Sequence, residues 1–336
     1  MKKKIKVLVV DDSIVFREAI IRGIGADINI EVVARASDPF EARDRILEWE
    51  PDVMTCDIEM PRMNGIEFVR RLLPQYSIPV IIVSGLSEAV FDAMDAGAVD
   101  FVAKPVDKSA ANMQIFIQEL ISKIKIAAVS KVTPHNTVIA GQVYGNHFPE
   151  NRIIAMGAST GGTEALYSIL MQLPANIPGI VIVQHIPPVF SKMFSERLNN
   201  QTSLAVKEAE DGEYVETGKV LIAPGDRHMR INKLGGKYKV EVFSGEKLSG
   251  HCPSVDMLFD SVAKKAGNEA IGIILTGMGY DGAKGLLAMK RKGARTIGQD
   301  EKSCVVYGMP KAAYDIGAVE VQVPLLGVPK ALMSML

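Results

Sequence analysis

Residues 153–162 read IIAMGASTGG, an apolar run that ends in a serine at 159 and two glycines at 161 and 162. A short apolar run bounded by glycine and followed by helix formers is a buried strand, a tight corner and a helix. Such a corner has two chemical uses. It can lift Ser159 out as a nucleophile with backbone N–H groups beside it, or cradle an anion at the helix N-terminus. The corner alone leaves both open.

Outward from this corner, the chain from Arg152 onward alternates strands and helices. Strand candidates are RIIAM, GIVIVQ, KVLIA, a pair MRIN and YKVEVF around Gly235-Gly236, AIGIILT and ARTIG. Helical candidates are Thr163 to Gln172, Val189 to Asn199, Ser254 to Ala266, Gly282 to Lys292 and Pro310 to Ile316. Upstream, strand-like IKVLVV, EVVARA, VMTCD, VIIVS and VDFVAK alternate with amphipathic stretches such as Ser13 to Ile24 and Pro39 to Trp49. Strands alternating with helices imply parallel sheets covered on both faces. The fold class expected is therefore α/β. A doubly wound five-stranded parallel domain spans 1–126, and a second doubly wound α/β domain with a mostly parallel sheet spans 151–336. Between them, 127–150 mixes Pro, Gly, Asn and Thr and reads as a linker, with Val138, Ile139 and Val143 able to rest on a domain surface.

The composition bounds the rest. At 336 residues with 48% hydrophobic and 23% charged residues, the chain suits two soluble domains. A formal net charge of −1 gives no electrostatic reason for a nucleic-acid partner. The apolar run after the leading MKKK ends at Asp11 and Asp12, too short for a signal peptide, and no stretch is long enough to span a membrane. Cys56, Cys252 and Cys304 are odd in number and outside any metal-ligand spacing, which reads as reduced thiols in a cytoplasmic protein.

Acidic residues sit where the strands of the first half end. Asp11 and Asp12 follow VLVV, Asp57 follows VMTC, Ser84 closes VIIVS and Lys104-Pro105 closes the fifth strand. Adjacent strand ends converge on one pocket. Three crowded carboxylates repel one another unless a hard divalent cation joins them, and Mg²⁺ is the natural choice. A carboxylate there can attack a phosphoryl donor, and the metal, a lysine and a hydroxyl can neutralise the transferred group. Singly, each of these residues is an ordinary turn residue. In this combination the first half resembles a response-regulator receiver domain over residues 5–125, and EMPRMNG after Asp57 matches that family's loop. The resemblance makes Asp57 the phosphoacceptor, with Asp11 and Asp12 joining it around Mg²⁺. Ser84 becomes the switch hydroxyl and Lys104 the phosphate-pairing lysine. Phe101 falls at the family's switch aromatic, although a half-buried strand residue is its plain structural reading.

In the second half, a serine hydrolase needs a base and a group that orients the base. Five histidines are available, at 135, 147, 185, 228 and 251. His135 and His147 lie in the linker, and His228 and His251 lie in loop contexts. His185 ends GIVIVQ, the strand after Ser159, and consecutive parallel strands are usually neighbours. For the carboxylate, Asp281 in ILTGMGYDG follows another strand, with Asp226, Asp256, Asp260 and Asp300 as competitors and a helix N-cap as its alternative role. Gly277, Gly279 and Gly282 let backbone N–H groups approach a reacting centre.

The segments GASTGG, QHIPP, LIAPGDRHM, PSVDMLF, LTGMGYDG and YGMPKAA resemble the catalytic domain of the chemotaxis methylesterases, the CheB family, over 151 to about 325. The resemblance implies Ser159 as nucleophile, His185 as base, Asp281 as its orienting partner and the Met278 N–H as an oxyanion donor. It also implies hydrolysis of glutamate methyl esters on methyl-accepting chemotaxis receptors with release of methanol, and deamidation of receptor glutamines. The esterase step needs no cofactor. The phosphodonor implied is the chemotaxis histidine kinase CheA. A complete receiver fused to a complete hydrolase further suggests that the unphosphorylated receiver covers the Ser159 site. The rival reading is a receiver-controlled phosphate- or nucleotide-binding module without hydrolase activity. It requires neither His185 nor Asp281, and the corner lacks the lysine of a P-loop.

Overall fold

The computed structural model describes residues 3–85, 87–130, 148 and 151–336. The chain divides into two compact units, Met1–Asn136 and Thr137–Leu336. Most of the stretch expected as a linker, including Val138, Ile139, Val143, His135 and His147, lies outside the described residues.

In the first unit five strands, β1 (Ile5–Val10), β2 (Ile30–Ala36), β3 (Val53–Cys56), β4 (Val80–Ser84) and β5 (Asp100–Ala103), alternate with five helices. These are α1 (Ile14–Gly25), α2 (Pro39–Trp49), α3 (Gly65–Leu72), α4 (Ala89–Asp95) and α5 (Ala110–Ala127). All pairings are parallel, in the order β2-β1-β3-β4-β5. Every residue of β3 and β4 is buried. A parallel strand covered on both faces is apolar throughout rather than alternating. Side-chain oxygens of Ser13, Asp38, Asn64 and Ser109 accept first-turn N–H groups of α1, α2, α3 and α5. Each such cap contributes about 1 kcal/mol. The strand order reverses between β1 and β3, which opens a crevice at their C-terminal ends.

The second unit carries β6 (Ile153–Ala158), α6 (Gly162–Leu170), β7 (Ile180–Gln184), α7 (Phe190–Gln201), β8 (Ala205–Glu208) and β9 (Lys219–Ile222). A hairpin of β10 (His228–Leu234) and β11 (Lys237–Phe243) follows, then α8 (Val255–Lys265), β12 (Ala270–Ile274), α9 (Ala283–Arg291), β13 (Arg295–Gln299), α10 (Met309–Asp315), β14 (Val321–Val323) and α11 (Val328–Met335). The seven-stranded sheet runs β14-β13-β12-β6-β7-β9-β8, with every pairing parallel. The antiparallel hairpin, turning at Gly235-Gly236, forms its own two-stranded sheet. It is tied to α8 where the Ile231 N–H donates to Ser261 Oγ at 2.9 Å.

The sequence expectation did not include β8, β14 or α11. Both strands lie at sheet edges, are three or four residues long and mix polar with apolar positions, as AVKE and VQV. Such strands carry little apolar periodicity because only part of their surface is covered. β6 sits at the centre with all six residues buried, and the chain winds away from it in both directions, through β7 on one side and β12 on the other. That is the switch point where an open α/β sheet exposes a ligand-sized crevice.

Candidate active site

Ser159, His185 and the loop bearing Asp281 follow the C-terminal ends of three adjacent strands, β6, β7 and β12. Register fixes the first two. Ala158 pairs with Gln184, and the His185 N–H donates to the Ala158 carbonyl at 3.1 Å. Toward β12, the Ser159 N–H donates to the Thr276 carbonyl at 3.0 Å. The approach is close because residue 277 is glycine. A Cβ there would fall 2.7 Å from Ser159 Cβ and 2.4 Å from Met309 Sδ, nearer than atoms can pack.

The His185 side chain is 9% exposed and that of Asp281 is 1% exposed, and His185 Nε2 lies 2.9 Å from Asp281 Oδ2. Asp281 is held at both oxygens. Oδ2 accepts the Val255 N–H at 2.8 Å, while Oδ1 accepts the Ser254 hydroxyl at 2.9 Å and the Asp256 N–H at 3.0 Å. Burial acts to raise the Asp281 carboxyl, but the bonds from His185 and from the Asp256 and Val255 N–H groups outweigh it and hold the group below the usual aspartate value. Asp281 is thus an ionised acceptor, so the proton of the His185 ring sits on Nε2. The other nitrogen, Nδ1, is buried and has no hydrogen-bond partner among the described residues. A lone pair left free at the end of the strand next to Ser159 is what a general base requires. The Ser159 hydroxyl is half-buried and makes no hydrogen bond among the described residues.

Met278 follows Gly277 on the same loop, 46% exposed, and its N–H donates to no acceptor among the described residues. Three of the competing carboxylates and one of the other histidines have partners of their own. Asp256 Oδ1 accepts the Gly285 N–H at 2.7 Å, Asp260 pairs with Lys264, and Asp300 accepts from the Ser303 N–H and hydroxyl. His228 is buried in β10, with Nε2 2.8 Å from the Glu246 carbonyl.

Two contributors were not anticipated from the sequence. Gln184 is buried, and its Nε2 donates to the carbonyls of Ser159 at 2.9 Å and His185 at 3.1 Å, tying the two segments together. Ser254 caps α8 and also donates to Asp281. The signal for Gln184 was a polar residue closing an otherwise apolar strand; the signal for Ser254 was its capping position.

In the first unit, the carboxylate oxygens of Asp11, Asp12 and Asp57 come within 4.8 Å of one another, with Asp11 and Asp57 buried and Asp12 exposed. Lys104 Nζ reaches Asp57 Oδ2 at 2.5 Å and Asp11 Oδ2 at 2.8 Å. Burial raises the Asp57 carboxyl above its ordinary value, and Lys104 only partly offsets this. Burial would lower Lys104, but hydrogen bonds and charge from Asp11 and Asp57 raise it. Ser84 is buried at the end of β4, where its carbonyl accepts the Lys104 N–H at 2.7 Å. Phe101 is buried rather than half-buried, edge-on to Phe91 with ring centroids 6.2 Å apart. The donor set is all hard oxygen, which fits Mg²⁺.

Comparison with known proteins finds a family match in each of the two units. The family model described as CheB methylesterase matches residues 154–332, and that described as response regulator receiver domain matches residues 7–115. The chain is 55% identical to a protein-glutamate methylesterase/protein-glutamine glutaminase 2 of Syntrophomonas wolfei, covering 99% of this chain and 98% of that one. It is 44% identical to the protein-glutamate methylesterase/protein-glutamine glutaminase of Salmonella typhimurium, covering 98% and 97%. The crystal structure of the Thermotoga maritima CheB methylesterase catalytic domain superposes with a TM-score of 0.54 at 40% identity, covering 55% of this chain and 98% of that one. The chain belongs to the CheB methylesterase family, with a response regulator receiver domain at its N-terminal side.

Proposed function

We propose that this protein is a serine esterase under receiver control. It hydrolyses methyl esters of glutamate side chains on methyl-accepting chemotaxis receptors and deamidates receptor glutamines. The observation that carries the reading is the His185 Nε2 to Asp281 contact at 2.9 Å, with Nδ1 free of any partner among the described residues. Ser159 gives its hydroxyl proton to His185 Nδ1 as Oγ attacks the ester carbonyl. Asp281 stabilises the imidazolium that results. The Met278 N–H donates to the oxyanion, and one such donor is worth about 10²–10³ in rate. His185 then returns the proton to the departing methoxide, releasing methanol. Water attacks the acyl-enzyme and loses a proton to His185, which returns it to Ser159 Oγ as the acyl bond breaks and the glutamate is freed. With a glutamine side chain the same sequence releases ammonia.

Asp57 is the proposed phosphoacceptor, with CheA as donor. Asp11, Asp12 and Asp57 would hold Mg²⁺, which when bound neutralises phosphoryl oxygens. Lys104 supplies a positive charge beside Asp57 and Asp11, and Ser84 and Phe101 are the proposed switch residues. We assign the receiver to 1–126, the linker to 127–150 and the catalytic domain to 151–336. Free Cys56, Cys252 and Cys304 and a kinase partner support a cytoplasmic location. Among the described residues no helix is long and apolar enough to cross a membrane.

The site reading is tested by labelling with a serine-directed phosphonate. An adduct on Ser159 that disappears in His185→Ala supports it. No adduct in the wild type would instead favour a phosphate- or nucleotide-binding corner.

A further inference from the structure

The base carries a second imidazole on its face. The rings of His185 and His251 lie 3.8 Å apart between centroids and within 7° of parallel. His251 is delivered by a two-residue turn. The Leu248 N–H donates to the His251 carbonyl at 2.9 Å, and the His251 N–H donates to the Leu248 carbonyl at 2.8 Å. The residues between them, Ser249 and Gly250, have φ of 51° and 85°, as a tight turn of the I′ kind requires. A few residues on, Ser254, Val255 and Asp256 supply the three donors that hold Asp281. One continuous segment therefore touches both the face of the base and the carboxylate at its edge.

An in-plane bond from Nε2 to Asp281 anchors one end of the ring but leaves it free to tilt about that contact. A flat partner against the face removes the tilt, whereas an aliphatic side chain offers no matching plane. We propose that His251 is a positioning residue for the esterase reaction, its ring holding the His185 imidazole in the plane that presents Nδ1 to the Ser159 hydroxyl. The inference rests on the esterase reading above. The charged and titratable groups that face His251 are His185, Asp281 and Lys247. Burial, with the charges of His185 and Lys247 and against that of Asp281, pushes it down to about 4. It therefore stays neutral near pH 7 and places no like charge against His185 when that ring takes the serine proton. Proton transfer is sensitive to ring angle while receptor docking is not, so the effect belongs in kcat rather than KM.

The test uses the full-length chain, activated by a small phosphodonor with Mg²⁺, on methylated receptor membranes. His251→Ala and His251→Leu are expected to lower kcat about 5- to 10-fold, the range of an aromatic contact, with KM held within about twofold. His251→Phe, which restores a flat face without ring nitrogens, is expected to return kcat to within about twofold of wild type. Thermal melts accompany each variant, and if His251→Ala melts early, the comparison of Leu with Phe decides. Unchanged kcat in Ala and Leu, a change confined to KM, or a Phe variant as slow as Leu would overturn the proposal. An inactive wild type that also takes no phosphonate at Ser159 would overturn the esterase reading itself, a separate outcome.

Discussion

His185 and Asp281 meet through Nε2 and Oδ2 at 2.9 Å, and Nδ1 of the same ring is buried with no hydrogen-bond partner among the described residues. The carboxylate here accepts four hydrogen bonds, so it fixes the histidine tautomer while also holding the start of α8. Asp281→Asn would put an amide where an acceptor is required and favour the wrong tautomer. Methanol release is expected to fall about 10³- to 10⁴-fold, as it does when the orienting carboxylate of a hydrolase triad is amidated. A loss below tenfold would show that Asp281 is not the orienting group.

Gly277→Ala tests the packing that brings two strand ends together. The new methyl would meet Met309 Sδ and Ser159 Cβ well inside contact distance. Ser159 or its loop must shift, and a shift of about 1 Å at a nucleophile can cost 10²-fold in rate. Esterase activity should fall by about that factor, with stability lowered by about 1–3 kcal/mol. Urea unfolding and methanol release measured on the same preparation check both, and full activity would contradict the assigned geometry.

His251 gives a stability signature that does not depend on substrate. Its folded value lies near 4 against an ordinary 6.5, so between these values the unfolded chain holds a proton that the folded chain does not. Stability of the second unit should therefore rise with pH from about 4 to 6.5 and level off above, by less than the full shift implies because the ring is only partly covered. His251→Phe should flatten that portion of the curve. Parallel urea-unfolding curves for the two proteins across this window would contradict a neutral, covered His251.

Asp57→Ala removes the only proposed phosphoacceptor. Wild-type esterase activity should rise on adding a small phosphodonor and Mg²⁺, whereas in Asp57→Ala the ratio with and without phosphodonor should be one. Stimulation retained in the variant would mean that another residue takes the phosphoryl group.

Much of this was legible in the sequence because both sites lie at the ends of mostly buried strands. β4, β6, β7 and β12 are apolar runs, as are β1 after Lys6 and β3 but for Thr55, and a polar residue closing such a run is conspicuous. The adjacency of Ser159 and His185 followed from consecutive parallel strands being neighbours. The choice of Asp281 over Asp256 did not follow. Both stand close to helix starts in acidic, glycine-containing text, and only the three-dimensional path shows Asp256 bonding the Gly285 N–H. The bonds that Gln184 and Ser254 make, and the His251 stack, were not legible for a related reason. Each acts across 25 to 66 residues of chain, on a backbone carbonyl, a carboxylate oxygen or a ring face, and sequence periodicity reports none of these.

In the proposed reaction Ser159, activated by His185, cleaves receptor glutamate methyl esters. The most direct measurement is methanol release from methylated chemoreceptor membranes by the phosphodonor-activated wild type and by Ser159→Ala. Steady release is expected from the wild type, with a fall of about 10⁴-fold or more in Ser159→Ala, consistent with loss of a hydrolase nucleophile. Release by Ser159→Ala at a rate near that of the wild type would contradict it.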